Sequence, residues 1–238
     1  MSIHFNIIKF IRGIGSGWVE YNRKLLIDVI FESEPDEFLT ALDVGCGEGV
    51  FSNYILQRLA KCNLLVGVDI SIELIAKAKQ ESVHERTEYI VADAKYLPLK
   101  NATLDLVFSK DLLHHVDKPI NVLKEIKRVS NNNIIIVEAN RCNLIMLLYT
   151  KFGHPHFTLN QFKFLIKKAG LKLKKFKQLN AYPITCLFPP GNFMVILWNF
   201  YILLFLIIYN LTKTSLSEQY LRILSSLMKP SFNVFYAK

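Results

Sequence analysis

The feature that most constrains the fold is an alternation of short apolar segments with segments of helical periodicity between residues 39 and 137. Short apolar runs bounded by polar or glycine-containing stretches predict buried strands. Between them, apolar residues recur three and four positions apart, as in a helix that covers a sheet. Because strands that alternate with helices form parallel sheets, we expect an α/β fold with helices on both faces of the sheet. The predicted strands are Leu39–Val44, Leu64–Val68, Glu88–Val91, Leu104–Phe108 and Ile134–Val137.

The regular alternation of predicted strands and helices ends after Glu138, but two more strands are predicted. Thr158 is placed to cap a helix that ends at Gly170, because a threonine side chain accepts a bond from the first turn and glycine tolerates the left-handed conformation after the last. The sixth and seventh strands are expected at Leu171–Leu179 and Ser231–Ala237. A length of 238 residues suits one large α/β domain with an appended part.

A glycine-rich turn between the first strand and the next helix carries the strongest functional signal. Gly45, Gly47 and Gly49 occupy alternate positions, and residues without a side chain let the backbone turn sharply and approach a ligand closely. Asp69 ends the second strand 24 residues after Gly45, where an acid can accept hydrogen bonds from both ribose hydroxyls. The third glycine comes one residue early for a dinucleotide fingerprint, and the Gly-Lys-Ser/Thr of a P-loop is absent.

This glycine spacing, with Asp43 two residues before the first glycine, resembles the first motif of the class I S-adenosylmethionine-dependent methyltransferases. The resemblance covers residues 38–180 and the last strand, and it implies a Rossmann-like, seven-stranded, mostly parallel sheet with S-adenosyl-L-methionine as cofactor. The chain departs from the family at Ser130–Asn133, where a Lys-Pro-Gly-Gly turn is usual, and in an apolar block at 190–228. The resemblance to the family continues in Val91–Ala94, Leu104–Ser109, Leu112–Val116 and Leu123–Val129. His156–Thr158 and Ala169–Leu171 are similar to the helix and sixth strand of its type 11 small-molecule subgroup.

The resemblance also implies where the cofactor lies. The three glycines would pass under its methionine and ribose portions, Asp69 would hold the ribose, and Asp93 would hold the adenine amino group. Asp43 would either reach the methionine ammonium or only brace the loop, and a structural role is the alternative for the other two acids as well. The predicted cofactor-binding residues are Asp43, Gly45, Cys46, Gly47, Gly49, Asp69, Ile70, Asp93, Ala94 and Ser109.

Methyl transfer from a sulfonium needs a positioned acceptor and, when the acceptor is a hydroxyl, a base. His114 and His115 follow the fourth strand and are the predicted catalytic residues, with a structural hydrogen bond as the alternative role. Glu138, at the end of the fifth strand, is a further candidate unless it caps the next helix. His154 and His156 are candidates on the acceptor side.

No metal is expected, because the four cysteines form neither a CxxC pair nor a cluster with histidine. The same spacing argues against a disulfide framework of the kind found in small secreted domains. The cytoplasm is therefore the expected compartment.

Charge and hydropathy divide the chain unevenly. Residues 1–150 contain 17 basic and 19 acidic residues, whereas residues 151–238 contain 12 basic residues and a single acid, Glu218. The same C-terminal part holds the most apolar run of the chain, Phe193–Tyr209. A region that is both cationic and apolar favours a membrane surface over nucleic acid as a contact.

Three interpretations of Phe193–Tyr209 stay open: a lid that faces the membrane, a segment packed internally or between two copies, and a transmembrane helix. A helix of this length would measure about 25 Å, just short of the hydrocarbon core. One crossing would also separate the last strand from its sheet, so we expect a lid. The predicted single domain comprises N-terminal helices at 1–37, a cofactor-binding core at 38–140, acceptor-side helices and strand six at 141–180, an apolar insert or lid at 181–230 and a last strand at 231–238.

Together these observations predict a methyltransferase for a small, hydrophobic or lipid-like acceptor, located in the cytoplasm and peripherally on the inner face of the membrane. The alternatives are an RNA methyltransferase and a non-catalytic, cofactor-binding regulatory subunit. Nucleic acid is disfavoured as a partner, because Ser109–Leu112 does not resemble the Asn/Asp-Pro-Pro-Tyr clamp that enzymes acting on a flipped base carry after strand four.

Overall fold

The computed structural model describes residues 23–24, 26–32, 37–139, 157–179 and 232–238. The described helices are α1, within residues 23–31, and α2 (Val50–Arg58), α3 (Ile72–Glu81), α4 (Pro119–Val129) and α5 (Leu159–Lys168). The strands are β1 (Thr40–Val44), β2 (Leu64–Asp69), β3 (Thr87–Val91), β4 (Leu106–Lys110), β5 (Ile134–Ala139), β6 (Leu173–Leu179) and β7 (Phe232–Ala237).

All seven strands form one sheet in the order β3-β2-β1-β4-β5-β7-β6. The pairs from β3 to β5 are parallel, whereas β7 runs antiparallel to both of its neighbours. The predicted Rossmann-like, mostly parallel seven-stranded sheet is therefore confirmed. The strand order reverses at β1, which lies between β2 and β4.

Alternate residues along the central strands point to opposite faces of the sheet and pack in two separate apolar clusters. On one face Leu42 and Val44 of β1 pack in a cluster with α4 and α5. On the other face Ala41 packs with α1 and α2. The central strands are apolar on both sides because helices cover both faces, as expected for parallel strands.

The predicted helix boundaries have clear physical causes. The Ser71 hydroxyl accepts a hydrogen bond from the Leu74 amide at the start of α3. Thr158 and Gln161 form a reciprocal capping box at the start of α5, and Gly170 follows that helix with φ 76°. The predicted caps at Thr158 and Gly170 are therefore confirmed, and Ser71 caps α3 in the same way as Thr158 caps α5.

Strand β4 differs from its prediction. It begins two residues later than expected, at Leu106, and continues to Lys110. Leu104 makes only an isolated bridge to Ser130, so its burial reflects packing and not membership of the sheet. Apolar character alone does not separate these two situations.

Several predictions lie outside the described residues. They include the part of the acceptor-side segment at 141–156, the apolar insert or lid at 181–230 with its run Phe193–Tyr209, and both His154 and His156. Among the residues that are described, none of the helices combines the length and the apolar character needed to cross a bilayer.

Candidate functional site

The glycine turn lies at the carboxyl end of β1, where the strand order reverses. Ligands of open α/β sheets bind in the crevice at such a point. The amides of Gly45 and Cys46 both donate to the Val68 carbonyl, at 2.7 and 3.0 Å, so the turn is fastened to the end of β2. Its last glycine, Gly49, is the N-cap of α2.

The three glycines of the turn are required for different reasons. All three have positive φ, between 55 and 76°, a conformation that other residues adopt at a cost. A Cβ on Gly45 would lie 2.9 Å from the Leu112 side chain, and a Cβ on Gly49 would lie 2.5 Å from the Tyr89 hydroxyl. A Cβ on Gly47 would meet nothing within 4 Å. Gly47 is therefore the glycine whose backbone borders open space.

Asp69 lies beside Gly47. Its Oδ2 accepts a hydrogen bond from the Gly47 amide and its Oδ1 accepts one from the Ser71 amide, both at 3.0 Å. The side chain is partly exposed, and each carboxylate oxygen can accept a further bond. The structure thus brings the predicted acid and the predicted turn together and leaves Asp69 able to accept bonds from a diol.

Asp43, by contrast, is buried beneath the turn. The Ser52 hydroxyl of α2 donates to its Oδ2 at 2.6 Å. Burial raises the pKa of Asp43 to about 6, and the Ser52 hydrogen bond opposes this shift only in part. Asp43 therefore braces β1 against the first turn of α2, which is one of its two predicted roles, while contact with a methionine ammonium stays a prediction.

Two other predicted cofactor-binding side chains point into the domain. Cys46 is 8% exposed and packs with Ile75, Ala78 and Tyr89, and burial raises the pKa of its thiol far above the usual value. Ser109 is fully buried in β4, and its hydroxyl has no hydrogen-bond partner within the described part of the chain. Because both side chains are buried, their direct contact with a ligand stays a prediction.

The remaining predicted cofactor residues follow β2 and β3, which are paired neighbours. Ile70 is 70% exposed. Asp93 accepts a bond from the Lys95 amide at 2.9 Å and lies 3.6 Å from the Lys95 ammonium, while Ala94 is buried. An exposed aliphatic side chain on one loop and a carboxylate on the next suit the face and the amino edge of a purine.

The loop after β4 is held in place by Glu138 of β5. Glu138 Oε1 accepts a bond from the Leu113 amide, and its Oε2 bonds to Nδ1 of His114, both at 2.7 Å. Both Glu138 oxygens therefore bind the short 3₁₀ turn Leu113–His115, while the helix that Glu138 was alternatively expected to cap lies outside the described residues. His115 is exposed, and its ring centre lies 4.0 Å from that of His114.

Burial and pairing act together on the protonation of this histidine and its partner. Burial lowers the pKa of His114, but the hydrogen bond and negative charge of Glu138 outweigh it, so the pKa is raised overall. Burial also raises the pKa of Glu138, despite the bond to His114. The pair consequently keeps its proton to higher pH than a free histidine would.

Asp111 extends this cluster. The ligand-type atoms of Asp111, His114 and Glu138 all lie within 4.8 Å of one another. However, Lys110 forms an ion pair with Asp111, and both Glu138 oxygens already accept bonds. Of these carboxylate oxygens, Asp111 Oδ1 is buried without a hydrogen-bond partner among the described residues, and the absence of a metal stays a prediction.

Comparison with known proteins identifies this architecture. Residues 42–137 match the model of a family described as a methyltransferase domain. The match runs from β1 to β5 and includes the glycine turn, Asp69 and His114. Residues 42–137 are thus similar to a methyltransferase domain, and their fold is that of solved S-adenosylmethionine-dependent methyltransferases.

The methyltransferase domain resembles its relatives over limited lengths. It is 35% identical over 96 residues to a malonyl-[acyl-carrier protein] O-methyltransferase of Hamiltonella defensa, which is 40% of this chain and 35% of that protein. The matched segment thus spans about a third of that relative. A methyltransferase structure from Thermotoga maritima, described as a possible histamine N-methyltransferase, has a TM-score of 0.59 at 16% identity and covers 92% of this chain and 90% of its own.

A second solved structure is magnesium protoporphyrin IX methyltransferase from Synechocystis with bound SAH. It has a TM-score of 0.55 at 17% identity, and the alignment covers 69% of this chain and 77% of the other. At these identities the two structures establish the fold of the methyltransferase domain and nothing more specific.

Sequence reasoning missed the role of Gly67 and Tyr89. These residues are paired across β2 and β3, and a Cβ on Gly67 would lie less than 3.0 Å from the Tyr89 ring. The same ring lies under Gly49, so Tyr89 is the packing support of the glycine turn. A glycine inside an apolar strand often marks such a close approach, and this signal was available in the sequence.

Proposed function

We propose that the protein is an S-adenosylmethionine-dependent methyltransferase that methylates an oxygen atom of a small, apolar acceptor. The observation that carries the proposal is the pairing of Gly47 with Asp69, which joins an open backbone turn to a carboxylate with spare acceptor capacity. The bound cofactor would supply an activated methyl group on a sulfonium. The chain would have to hold that donor, position the acceptor oxygen and exclude water.

The residues at the carboxyl ends of β1, β2 and β3 fit this cofactor. Asp69 would accept bonds from the ribose hydroxyls, and the exposed Ile70 would cover one face of the adenine. Asp93 would accept a bond from the adenine amino group. With a pKa of about 6, Asp43 is ionised at neutral pH and contributes negative charge below the turn, which favours a positively charged methionine portion nearby.

Two lines of support favour an oxygen acceptor of small, apolar character. The relative from Hamiltonella defensa is named as an O-methyltransferase, which supports an oxygen acceptor. The name of the Synechocystis enzyme gives magnesium protoporphyrin IX, a small molecule, which supports a small acceptor. The apolar character of the acceptor is supported by the sequence of Phe193–Tyr209, which we propose covers the acceptor at a membrane surface.

Of the two predicted catalytic histidines, we propose His115 as the base for a hydroxyl acceptor. His115 is exposed next to the carboxyl end of β4, whereas His114 is buried and engaged by Glu138. His114 would then be a positioning residue that fixes the turn on which His115 lies. An acceptor that is already an oxyanion would need no base.

Isothermal titration with S-adenosylmethionine and its demethylated product tests the cofactor site. Asp69→Ala should weaken donor binding about 100-fold, because two hydrogen bonds to a charged acceptor are lost. Asp69→Asn should lie between this variant and the wild type, and Glu81→Ala, an exposed carboxylate on α3, serves as the control. Equal affinity of Asp69→Ala and the wild type would refute the assignment.

Release of demethylated cofactor tests catalysis separately. The enzyme, loaded with donor, is offered alkylated phenols and fatty carboxylates, with polar analogues as controls. Faster release of demethylated cofactor with the apolar compounds than with the polar ones would support the proposed acceptor. A slower release in His115→Gln with phenols, but not with carboxylates, would support His115 as the base. Tight donor binding without release for any acceptor would favour the non-catalytic, cofactor-binding alternative.

A further inference from the structure

Helix α5 presents a cationic face with an aromatic ring at its centre. Successive residues of a helix are 100° apart, so Lys163, Phe164, Lys167 and Lys168 share one side of α5, away from the buried Phe162. All four side chains are exposed, and the Phe164 side chain is 61% exposed. Around the helix, Phe164 lies between Lys167 and Lys168. This surface, called the α5 face below, combines three ammonium groups with a large apolar ring.

No acid among the described residues balances the positive charge of the α5 face. The helix contains no acidic residue, and none of the ion pairs within the described residues involves its lysines. Helix α4 packs against α5 and adds Lys127, whose ammonium donates to the Gly170 carbonyl at 2.7 Å. The acid of α4, Glu125, is occupied by Arg128 at 2.7 Å. Repulsion among these lysines would be relieved by an anionic partner.

An apolar groove adjoins the same face. Its volume is about 480 Å³, and it is lined by Phe157, Asn160, Gln161, Phe164 and Leu165. Three of these five side chains are apolar, and the ring of Phe164 forms part of the groove while it remains exposed. Burial of such a ring stabilises an association, so the α5 face offers apolar contact as well as charge.

We propose that the α5 face docks on a bilayer surface that contains anionic phospholipids. The lysines would contact lipid phosphates, and Phe164 would insert below the headgroups, as in helices that lie in the membrane interface. Single-stranded RNA would use several stacking rings along a basic groove, whereas α5 presents one ring beside an apolar groove. This assignment rests on the membrane contact proposed above but not on the proposed methyl transfer.

Co-sedimentation of the full-length protein with vesicles tests the assignment. Vesicles of phosphatidylcholine alone are compared with vesicles that contain phosphatidylglycerol, at constant salt. We expect binding to the anionic vesicles, and a loss on the order of 100-fold when Lys163, Lys167 and Lys168 are all changed to Gln, at about fivefold for each lysine. Phe164→Ser should weaken binding about 10-fold. A matched triple change of exposed lysines elsewhere, Lys61, Lys79 and Lys100 to Gln, should have a much smaller effect.

The outcomes separate the possible occupants of the α5 face. Binding that is absent from both vesicle types, or that the two lysine triples reduce equally, would overturn the assignment. So would tight binding of a labelled single-stranded RNA that depends on the α5 lysines while vesicles are not bound. Donor titration on the same variants should give wild-type affinity, so a failed cofactor site and a failed docking surface are distinguishable.

Discussion

The glycine turn and the α5 face are built on opposite principles. Around the turn, polar groups are partnered by the protein itself, as Asp43 is by Ser52 and Asp69 is by the Gly47 amide. On the α5 face, like charges surround an exposed ring without ion pairs among the described residues. The first region is therefore fixed by the fold, whereas the second offers its groups to something outside the domain. Substitutions should expose this difference, because they cost folding free energy in one region and little in the other.

The largest loss of stability is expected at the buried pair of Glu138 and His114, next to the proposed base His115. Glu138→Ala would leave the Leu113 amide and the His114 ring without their acceptor in a site that is 1% exposed. Breaking a buried pair in this way costs about 3–5 kcal/mol. Urea unfolding measures the change, with Glu88→Ala, an exposed carboxylate on β3, as the control. A loss below about 1 kcal/mol would mean that Glu138 does not hold the turn.

The next largest effect should separate two glycines of the same turn. Gly49→Ala combines a left-handed backbone with overlap on Tyr89, and together these cost about 3 kcal/mol. Gly47→Ala has the backbone strain alone, about 1 kcal/mol, yet it should weaken donor binding more because its methyl group points into open space. Tyr89→Phe should recover part of the loss in Gly49→Ala, since the hydroxyl oxygen is the nearest atom. Equal losses for both glycines would contradict this distinction.

Sequence reasoning performed differently in the two regions for a physical reason. Periodicity and caps such as Thr158 and Gly170 are local signals, so the order of strands along the chain and the two ends of α5 were predictable. The role of Glu138 was not, because its partner Leu113 lies 25 residues away in the chain and meets it only through the pairing of β4 with β5. The role of Tyr89 under Gly49 depends in the same way on the neighbouring strand.

On the α5 face the sequence predicted the charge but not the shape of the surface. The sequence already indicated a cluster of lysines, but charge alone does not separate a solvated helix from a contact surface. The structure adds that Phe164 lies among those lysines on the exposed side and borders a groove. Which residues share a face follows from helix phase, whereas the groove depends on how Phe157 and α5 pack together.

A pH-dependent effect is expected from Asp43. Its pKa is raised to about 6 in the folded protein by burial, above the value in the unfolded chain, so the folded state binds the proton more tightly. Stability should therefore fall by up to about 2–3 kcal/mol as pH rises from about 4 to about 6. Asp43→Asn should lack this slope, and the difference between the two unfolding curves isolates it from other groups. Parallel curves for both proteins would show that the pKa of Asp43 is not raised in the folded protein.

The smallest change in stability is expected on the α5 face, and it decides whether the two regions really differ. Phe164→Ser and the three lysine-to-Gln changes remove no ion pair and little buried area within the described structure, so unfolding free energies should stay within about 0.5 kcal/mol of the wild type. Relief of lysine repulsion should make the triple variant slightly more stable at low salt than at high salt, relative to the wild type. A loss above about 2 kcal/mol in Phe164→Ser would instead mean that the ring is covered by another part of the chain in solution. The α5 face would then be an internal contact, held by the fold in the same way as the glycine turn.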